Sequence, residues 1–389
     1  MFQIDSKGRL DLRRDKVSKS TAFGEIERKK VLFLLPSLGG GGAEQVTVTL
    51  MSHLDRLSFD PHLGLLEKVG PFLQDVPKEV PIYDLKATRV RYALPTLLRL
   101  VWSLRPQTVL SALAELNLAM GLIKPLMPRG TRLIVRVDIS VSEDMAQTTR
   151  HSGLWRWLYR HFYSSADKII CVSDFVRNDL AEHFGIPLKK MVLIYNPVDV
   201  QRVRQLADVG ESPYLGGGPH LLAIGRLSWQ KGFDVLLDAL ALVRKKILAQ
   251  LTILGEGPLE TDLKAQKERL GLMESVRFVG FQTNPYPYFK HADLFVLSSR
   301  YEGLGNVILE AMALGVPVVA TDCPGGVREI LAGWGMGLLV PNLNPQALAD
   351  GIISALSDRA PSASRTGNLE GVPDKFKIER VMKQYEDLF

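Results

Sequence analysis

Two glutamates, Glu302 and Glu310, lie on either side of a glycine-containing turn, with seven residues between them. From position 307 to 314 the neighbours of Glu310 are all apolar, so no wide polar face keeps its carboxylate in water. An ionised carboxylate out of water must be paired or hydrogen-bonded, and the two hydroxyls of a ribose are suitable donors. The alternative interpretation is an acid near a helix start, stabilised by the helix dipole.

The residues around the two glutamates predict that the turn joins a strand to a helix. Residues 292–298 form an apolar run typical of a buried parallel strand, and Gly315 ends the helix before the next strand, VVAT. In open parallel sheets, ligands bind at the carboxyl ends of strands. The free amides that open the helix, around Gly303, Gly305 and Asn306, suit a phosphate. The layout therefore favours a sugar-nucleotide site.

A second candidate site follows the apolar residues 221–224, where Arg226 and Lys231 flank a turn before a predicted amphipathic helix. Arg226 offers a planar guanidinium and Lys231 a point charge, and together they can neutralise a diphosphate without a metal. The alternative is a pair of solvated surface cations.

The segment from Glu302 to Glu310 resembles the EX7E signature of the retaining group 1 (family 4) glycosyltransferases, which have the GT-B fold. The resemblance implies that Glu302 contacts the donor sugar and that Glu310 holds the nucleotide ribose. It also implies that Arg226 and Lys231 bind the donor pyrophosphate and stabilise it as the leaving group. Leu304 stands where many members have Phe. The predicted donor-binding residues around the signature are Gly303, Leu304, Gly305, Asn306, Val307 and Glu310.

A glycine-rich turn, PSLGGGG, follows a predicted first strand at residues 31–35. Its glycines loosely match the dinucleotide-binding fingerprint, but this chain lacks the third glycine of that fingerprint. An NAD-dependent oxidoreductase is therefore the weaker alternative to a glycosyltransferase. In the glycosyltransferases a GGAE turn faces the cleft between the domains, and the resemblance assigns Gly41 and Gly42 to ligand contacts. By the same resemblance Phe281, after the strand VRFVG, lies beside the nucleobase. An ordinary core phenylalanine is the alternative there.

Asp138 is a departure from the family pattern. The segment RVDIS aligns with the place where many relatives have a histidine near the reaction centre, and here Asp138 occupies that place. We expect Asp138 either to orient or polarise the acceptor hydroxyl or to be an ordinary acid at the end of a strand.

Length and pattern predict two α/β domains, because 389 residues exceed what one core usually supports. We expect a polar extension over residues 1–30, a Rossmann-like acceptor-binding domain over 31–199 and a linker over 200–219. A Rossmann-like nucleotide-sugar domain then covers 220–374. In the GT-B fold the two domains face each other across a cleft, and an amphipathic helix, here 375–389, crosses back to the first domain.

Positive charge is concentrated in the first half of the chain. Residues 86–160 hold 12 Lys and Arg against 4 Asp and Glu, interleaved with leucines and aromatic residues. This pattern suits an anionic membrane surface or a nucleic acid. Because no nucleic-acid-binding motif accompanies it, we expect a membrane surface as the partner and no nucleic acid. The alternative is a pair of amphipathic helices with solvated basic faces.

The composition argues against several other classes of protein. The two cysteines, Cys171 and Cys323, lie far apart and in or beside apolar runs, so neither a disulfide framework nor a thiolate metal site is expected. No apolar run reaches the ~18 residues that span a bilayer, and the first 30 residues are too charged for a secretory signal. We expect a cytoplasmic protein, peripheral at the inner face of the membrane at most, with no metal or cofactor.

The candidate sites and the resemblance together predict a hexosyl- or N-acetylhexosaminyl-transferase that is metal-independent and, as the resemblance implies, retaining. Its donor would be a nucleotide diphosphate sugar, with UDP favoured on family frequency alone. Its acceptor would be a hydroxyl of a lipid-linked glycan or another cell-envelope polysaccharide precursor. The alternatives are the oxidoreductase and a non-catalytic protein that kept the fold, and the intact set Arg226, Lys231, Glu302 and Glu310 argues against the latter.

Overall fold

The computed structural model describes residues 28–148, 152–214, 216–357 and 371–389. Residues 1–27 of the predicted extension, and residues 358–370 of the predicted polar loop before the last helix, lie outside the described residues. The described chain forms two parallel sheets, each covered by helices.

Seven strands of the first half form one parallel sheet. They are β1 (Lys29–Leu35), β2 (Phe59–Leu65), β3 (Ile82–Asp84), β4 (Thr108–Ala112), β5 (Arg132–Val137), β6 (Lys168–Cys171) and β7 (Met191–Leu193). Their spatial order is β3-β2-β1-β4-β5-β6-β7. Residues 31–35 of β1 are buried because helices cover both faces of the sheet, which explains the continuous apolar runs in the sequence.

The helices of the first half connect successive strands. They are α1 (Gly42–His53), α2 (Val90–Leu104), α3 (Ala114–Ile123), α4 (Val141–Thr148), α5 (Ser152–Ser165) and α6 (Asp174–Phe184). Ser173 caps α6, since its side chain accepts a hydrogen bond from the amide of Val176, and Gly185 ends that helix in the left-handed conformation.

The segment predicted as a linker, residues 200–219, begins with a helix, α7 (Val200–Ala207). Asp199 caps α7 by accepting a hydrogen bond from the amide of Arg202. Arg204 of α7 donates to the carbonyl of Ala313 at 3.0 Å, so this part of the linker packs against the second half.

The second half repeats the architecture with six parallel strands. They are β8 (His220–Ile224), β9 (Gln250–Leu254), β10 (Val276–Gly280), β11 (Leu294–Leu297), β12 (Val318–Thr321) and β13 (Gly337–Val340), in the order β10-β9-β8-β11-β12-β13. The accompanying helices are α8 (Phe233–Val243), α9 (Glu260–Arg269), α10 (Tyr286–His291), α11 (Asn306–Ala313), α12 (Val327–Leu331) and α13 (Pro345–Ser357).

The last helix, α14 (Ile378–Leu388), packs against the first sheet, as predicted for a helix that crosses back. Val381 and Tyr385 are fully buried in the same apolar cluster as Phe33 of β1. The ring of Phe389 meets the ring of Phe33 edge to face, with 6.0 Å between the centroids. The two sheets and the returning helix confirm the predicted GT-B fold.

Strand order places two turns where ligands bind in such sheets. In the first sheet β1 lies between β2 and β4, and in the second β8 lies between β9 and β11, so the order of strands reverses at each. Ligands bind outside the carboxyl ends of strands at such reversals. The glycine-rich turn follows β1, and the turn that carries Arg226 and Lys231 follows β8.

Candidate active site

The turns after β8 and β11 bring Lys231 and Glu302 together, because the two strands are neighbours in the sheet. The ammonium Nζ of Lys231 lies 2.6 Å from Oε1 of Glu302, and the hydroxyl of Ser299 donates to the same oxygen at 2.6 Å. Glu302 is buried, which strengthens a charge-assisted contact of this kind. The predicted diphosphate cation and the predicted sugar-binding acid therefore form one ion pair.

Arg226 lies in the same turn as Lys231, and it is exposed. The aliphatic stem of Lys231 lies against Gly225, where a β-carbon would come within 3.1 Å of the lysine Cδ. The turn therefore holds Lys231 against the end of the sheet and leaves Arg226 at the surface.

Glu310 lies on α11 and is buried, with 8% of its surface exposed. The hydroxyl of Tyr286 donates to Oε1 of Glu310 at 3.3 Å, and the amide of Gln45, from α1 of the first half, donates to it at 3.4 Å. Burial raises the pKa of Glu310 to about 7, although both hydrogen bonds lower it. Glu310 therefore titrates near neutral pH. It also lines a cavity of about 230 Å³ between the halves, together with Gln45, Tyr286 and Asn306.

The residues between the two glutamates have different surroundings. The carbonyl of Gly303 accepts hydrogen bonds from the hydroxyl of Ser173 at 2.9 Å and from an amide of the loop before α12. The side chain of Leu304 is buried in the apolar core, so only its backbone can reach a ligand. Gly305 has a φ of 100°, in the left-handed region that favours glycine, and precedes the first turn of α11. Val307 follows in that turn and is half-buried.

Asn306, the first residue of α11, connects the second half to the first. Its side-chain oxygen accepts a hydrogen bond from Asn196 at 2.7 Å, and its amide nitrogen donates to the carbonyl of Gly42 at 3.4 Å. A β-carbon on Gly42 would lie 3.0 Å from that nitrogen. Gly42 of the glycine-rich turn thus lies directly against the helix that carries Glu310.

Phe281 lies across the cleft from the glycine-rich turn. A β-carbon on Gly40 would come within 2.8 Å of the Phe281 ring, and Gly40 itself has a φ of 97°. The ring also meets Phe72 of the first half edge to face, with 6.1 Å between centroids. The side chain of Phe281 therefore makes an apolar contact between the halves.

Asp138 follows β5 and touches the turn that carries Glu302. A β-carbon on Gly303 would lie 1.8 Å from the carbonyl oxygen of Asp138, so only glycine fits this approach. Oδ1 of Asp138 lies 2.5 Å from the guanidinium of Arg136, which is fully buried and also donates to Asn196 at 2.6 Å. Burial raises the pKa of Asp138, and Arg136 opposes that shift. The structure thus places the backbone of Asp138 against Gly303 and its carboxylate against the buried Arg136.

The carboxylate of Glu44, in the first turn of α1, is a site feature that the sequence reasoning did not single out. Glu44 is buried, and Oε2 would lie 2.4 Å from a β-carbon on Gly41. Burial raises its pKa, the charge of Asp138 raises it further, and Arg226 and Arg136 oppose the shift. Glu44 therefore interacts with Asp138 and Arg226, two residues of the predicted site. Its place in the GGAE turn was the sequence signal that could have identified it.

Three further side chains at the site escaped the sequence reasoning, namely Gln45, Tyr286 and Asn196. Each acts through a partner that is distant in the sequence, as with Gln45 and Glu310.

In the part of the chain that the structure describes, no group of three or more His, Cys, Asp or Glu residues could hold a metal ion. No described helix is both long and apolar enough to cross a membrane.

The chain belongs to the group 1 (family 4) glycosyltransferases. Residues 218–358 match the family described as glycosyl transferases group 1, and residues 40–202 match glycosyltransferase family 4. This membership argues against the oxidoreductase interpretation of the glycine-rich turn.

Three proteins are similar to this chain, two in sequence and one in fold. A Campylobacter jejuni N-acetylgalactosamine-N,N'-diacetylbacillosaminyl-diphospho-undecaprenol 4-alpha-N-acetylgalactosaminyltransferase is 31% identical over 372 residues, covering 92% of this chain and 99% of its own. The amylovoran biosynthesis glycosyltransferase AmsD of Erwinia amylovora is 27% identical, covering 78% and 83% of the two chains. The crystal structure of Anabaena HepE in complex with UDP-glucose has a TM-score of 0.73 at 21% identity and covers 93% of this chain and 99% of that one.

Proposed function

We propose that the protein is a retaining, metal-independent glycosyltransferase that moves a hexose or N-acetylhexosamine from a nucleotide diphosphate, with UDP favoured. The acceptor is a hydroxyl of a lipid-linked glycan or another cell-envelope polysaccharide precursor. The observation that carries this proposal is the ion pair of Lys231 with the buried Glu302, together with the buried Glu310 on the helix that follows. These groups lie at the carboxyl ends of adjacent strands, where a nucleotide would bind.

The donor fits the site in three parts. Glu310 accepts hydrogen bonds from the ribose hydroxyls, replacing those it now takes from Gln45 and Tyr286. Lys231, Arg226 and the amides that open α11 neutralise the diphosphate. Glu302 holds the donor sugar. The UDP-glucose bound by Anabaena HepE, a protein with the same fold, supports a nucleotide-sugar donor.

Catalysis rests mainly on electrostatic stabilisation of the leaving diphosphate, which is usually the largest single contribution to catalysis. No enzymic nucleophile is assigned, so retention implies attack by the acceptor on the same face as the leaving phosphate. Asp138, whose backbone lies against Gly303, and Glu44, which interacts with the charges of Asp138 and Arg226, orient the acceptor hydroxyl. The Campylobacter relative, whose name describes transfer to a diphospho-undecaprenol-linked sugar, supports a lipid-linked acceptor.

A thermal-shift screen with UDP, GDP, ADP and NAD tests the class of ligand. We expect UDP to raise the melting temperature, because a ligand at 100 times its dissociation constant adds about 2.7 kcal/mol of native-state stability. NAD should cause no shift. Stabilisation by NAD and by none of the three nucleoside diphosphates would contradict the proposal.

We also propose that the first half of the chain binds an anionic membrane surface. Helices α2, α3 and α5 lie side by side, since α3 packs against both of the others. The apolar side chains at the surface of these helices and of the short turn after α3, residues 124–126, are Tyr92, Trp102, Leu122, Leu126, Leu154 and Trp157, each about half or more exposed. Exposed arginines lie among them, at positions 89, 91, 99, 105, 129, 156 and 160. Exposed aromatic and leucine side chains interleaved with arginine suit the boundary of an anionic bilayer.

We expect the protein to sediment with phosphatidylglycerol vesicles at low salt and to be released as salt rises. Each Lys or Arg near such a surface contributes ~1 kcal/mol, and salt screens the attraction beyond a Debye length. Replacing Arg89, Arg91 and Arg99 together with glutamine should weaken this binding and leave the affinity for UDP unchanged. The matched control replaces Lys245, Lys246 and Arg269, exposed cations of the second half, and should bind as the wild type does.

Neutral phosphatidylcholine vesicles should bind the protein poorly. If the protein fails to sediment with anionic vesicles even at low salt, the basic surface is a solvated face and the acceptor is a soluble glycan.

A further inference from the structure

Trp229 is the most exposed of the large apolar side chains at the turn after β8, with 42% of its surface exposed. It lies in the single helical turn formed by residues 229–231, between Arg226 and Lys231. An exposed apolar residue alone is ordinary. The surroundings of this one are unusual in two respects.

First, Trp229 is held in place by Arg300. The guanidinium of Arg300 lies over the indole ring, 4.6 Å from its centroid, and donates to the carbonyl of Trp229 at 2.7 Å. Arg300 is itself fixed by two hydrogen bonds to Asp234, at 2.8 and 2.6 Å. One face of the indole is therefore covered by a rigid partner, while the residue keeps a large exposed surface. A ring fixed in this way loses little conformational entropy when a ligand stacks on it.

Second, Tyr301 lies between the indole and carboxylates from the first half. The ring of Tyr301 is 6.2 Å from the Trp229 ring, and its hydroxyl donates to Oδ1 of Asp144 on α4 at 3.0 Å. Burial raises the pKa of Tyr301, and the charges of Asp144, Glu302 and Glu143 raise it further. Glu143 and Asp144 are both half-buried. Tyr301 thus connects the indole to two carboxylates of the first half, and Glu302 is its neighbour in the chain.

We propose that Trp229, Glu143 and Asp144 form a subsite for a sugar ring of the acceptor glycan. The inference rests on the proposed glycosyl transfer and adds to it the place where the acceptor lies. The electron-rich face of an indole attracts the C–H groups on one side of a sugar ring, and carboxylates accept hydrogen bonds from its hydroxyls.

The position of the subsite favours the acceptor over the donor. Lys231, Glu302 and Glu310 already provide for the diphosphate, the donor sugar and the ribose. The carboxylates of the subsite come from α4, which follows Asp138 in the first half of the chain. Tyr301 immediately precedes Glu302, so a sugar on Trp229 would adjoin the donor sugar.

The test is the kinetics of Trp229→Ala with UDP-sugar as donor and a lipid extract of the source organism titrated as acceptor. We expect the apparent KM for the extract to rise about ten-fold, as for loss of an aromatic contact, with the KM for the donor unchanged. Trp229→Phe keeps an aromatic face and should restore most of the affinity. Glu143→Gln should raise the same KM. Met273→Ala, a change at another exposed apolar residue, is the matched control and should have no effect.

An unchanged acceptor KM in Trp229→Ala would overturn the subsite while leaving the proposed function intact. An equal rise in the KM for the donor, or a weakened affinity for UDP, would also overturn it, because Trp229 would then act on the donor or on the fold of its turn. If the wild-type enzyme transfers no sugar to the extract and UDP does not stabilise it, the proposed function fails and the subsite fails with it.

Discussion

Lys231→Ala is expected to lower turnover about ten-fold or more at saturating donor, and Arg226→Ala should do the same. Each substitution removes a charge-assisted contact to the leaving diphosphate, on the order of 1.5 to 3 kcal/mol. Lys231→Ala should have the larger effect, because it also leaves the buried Glu302 without its cation, 2.6 Å away. Ser299 still donates to Glu302, so the fold should survive.

Single-turnover and steady-state rates with the UDP-sugar measure this effect, with circular dichroism to check the fold. Lys264→Ala is the matched control, since Lys264 pairs with Glu260 on an exposed helix surface away from the cleft and its loss should not change the rate. Near-normal turnover in both Arg226→Ala and Lys231→Ala would refute the proposed diphosphate contact.

The second prediction separates the two glutamates by binding. Glu310→Gln is expected to weaken binding of free UDP, whereas Glu302→Gln should leave UDP affinity little changed and lower turnover with the full sugar donor. The reason is that Glu310 is assigned to the ribose, which UDP contains, and Glu302 to the sugar, which UDP lacks. Equal loss of UDP affinity in both variants would refute the assignment.

The raised pKa of Glu310 adds a pH signature to this test. Below about pH 7 its carboxyl group is protonated in the free protein, and it must lose that proton to accept two ribose hydroxyls. Binding of UDP should therefore release a proton and become tighter as pH rises through about 7. Calorimetry between pH 5.5 and 8 in two buffers of different ionisation enthalpy measures that release.

Glu310→Gln is the control for the pH signature, because the phosphate of UDP titrates in the same range in both proteins. The difference between wild type and variant isolates the proton of Glu310. A pH dependence that is the same in both proteins would show that Glu310 does not accept the ribose in its ionised form.

The sequence predicted the elements that depend on local pattern. The apolar runs of β1, β8 and β11 are local, and so are the glycines that follow them, so the turns that carry Lys231 and Glu302 could be located without the structure. Strand adjacency then brings those turns together. The helix α7 at the start of the predicted linker was not foreseen, since it begins at Val200, before the glycines and prolines that suggested a boundary.

Contacts between the two halves could not be predicted, because no local pattern encodes them. Gln45 and Glu310 are 265 positions apart in the sequence, and Asn196 and Asn306 are 110 positions apart. A glutamine on an amphipathic helix or an asparagine before a proline gives no signal of such a partner. The same holds for Arg136, which was noted only as part of the segment RVDIS and whose side chain is fully buried beside Asp138.

The returning helix α14 has a consequence for how the chain folds during synthesis. Its apolar face covers β1 and completes a cluster that otherwise consists of residues from the first half. While the ribosome is still making the second half, that part of the first sheet lacks its cover and exposes apolar surface. Such surface makes a nascent chain prone to aggregation. The first half should therefore become resistant to protease only after residues 378–389 have left the ribosome tunnel, so its folding is complete only once the second half has been made.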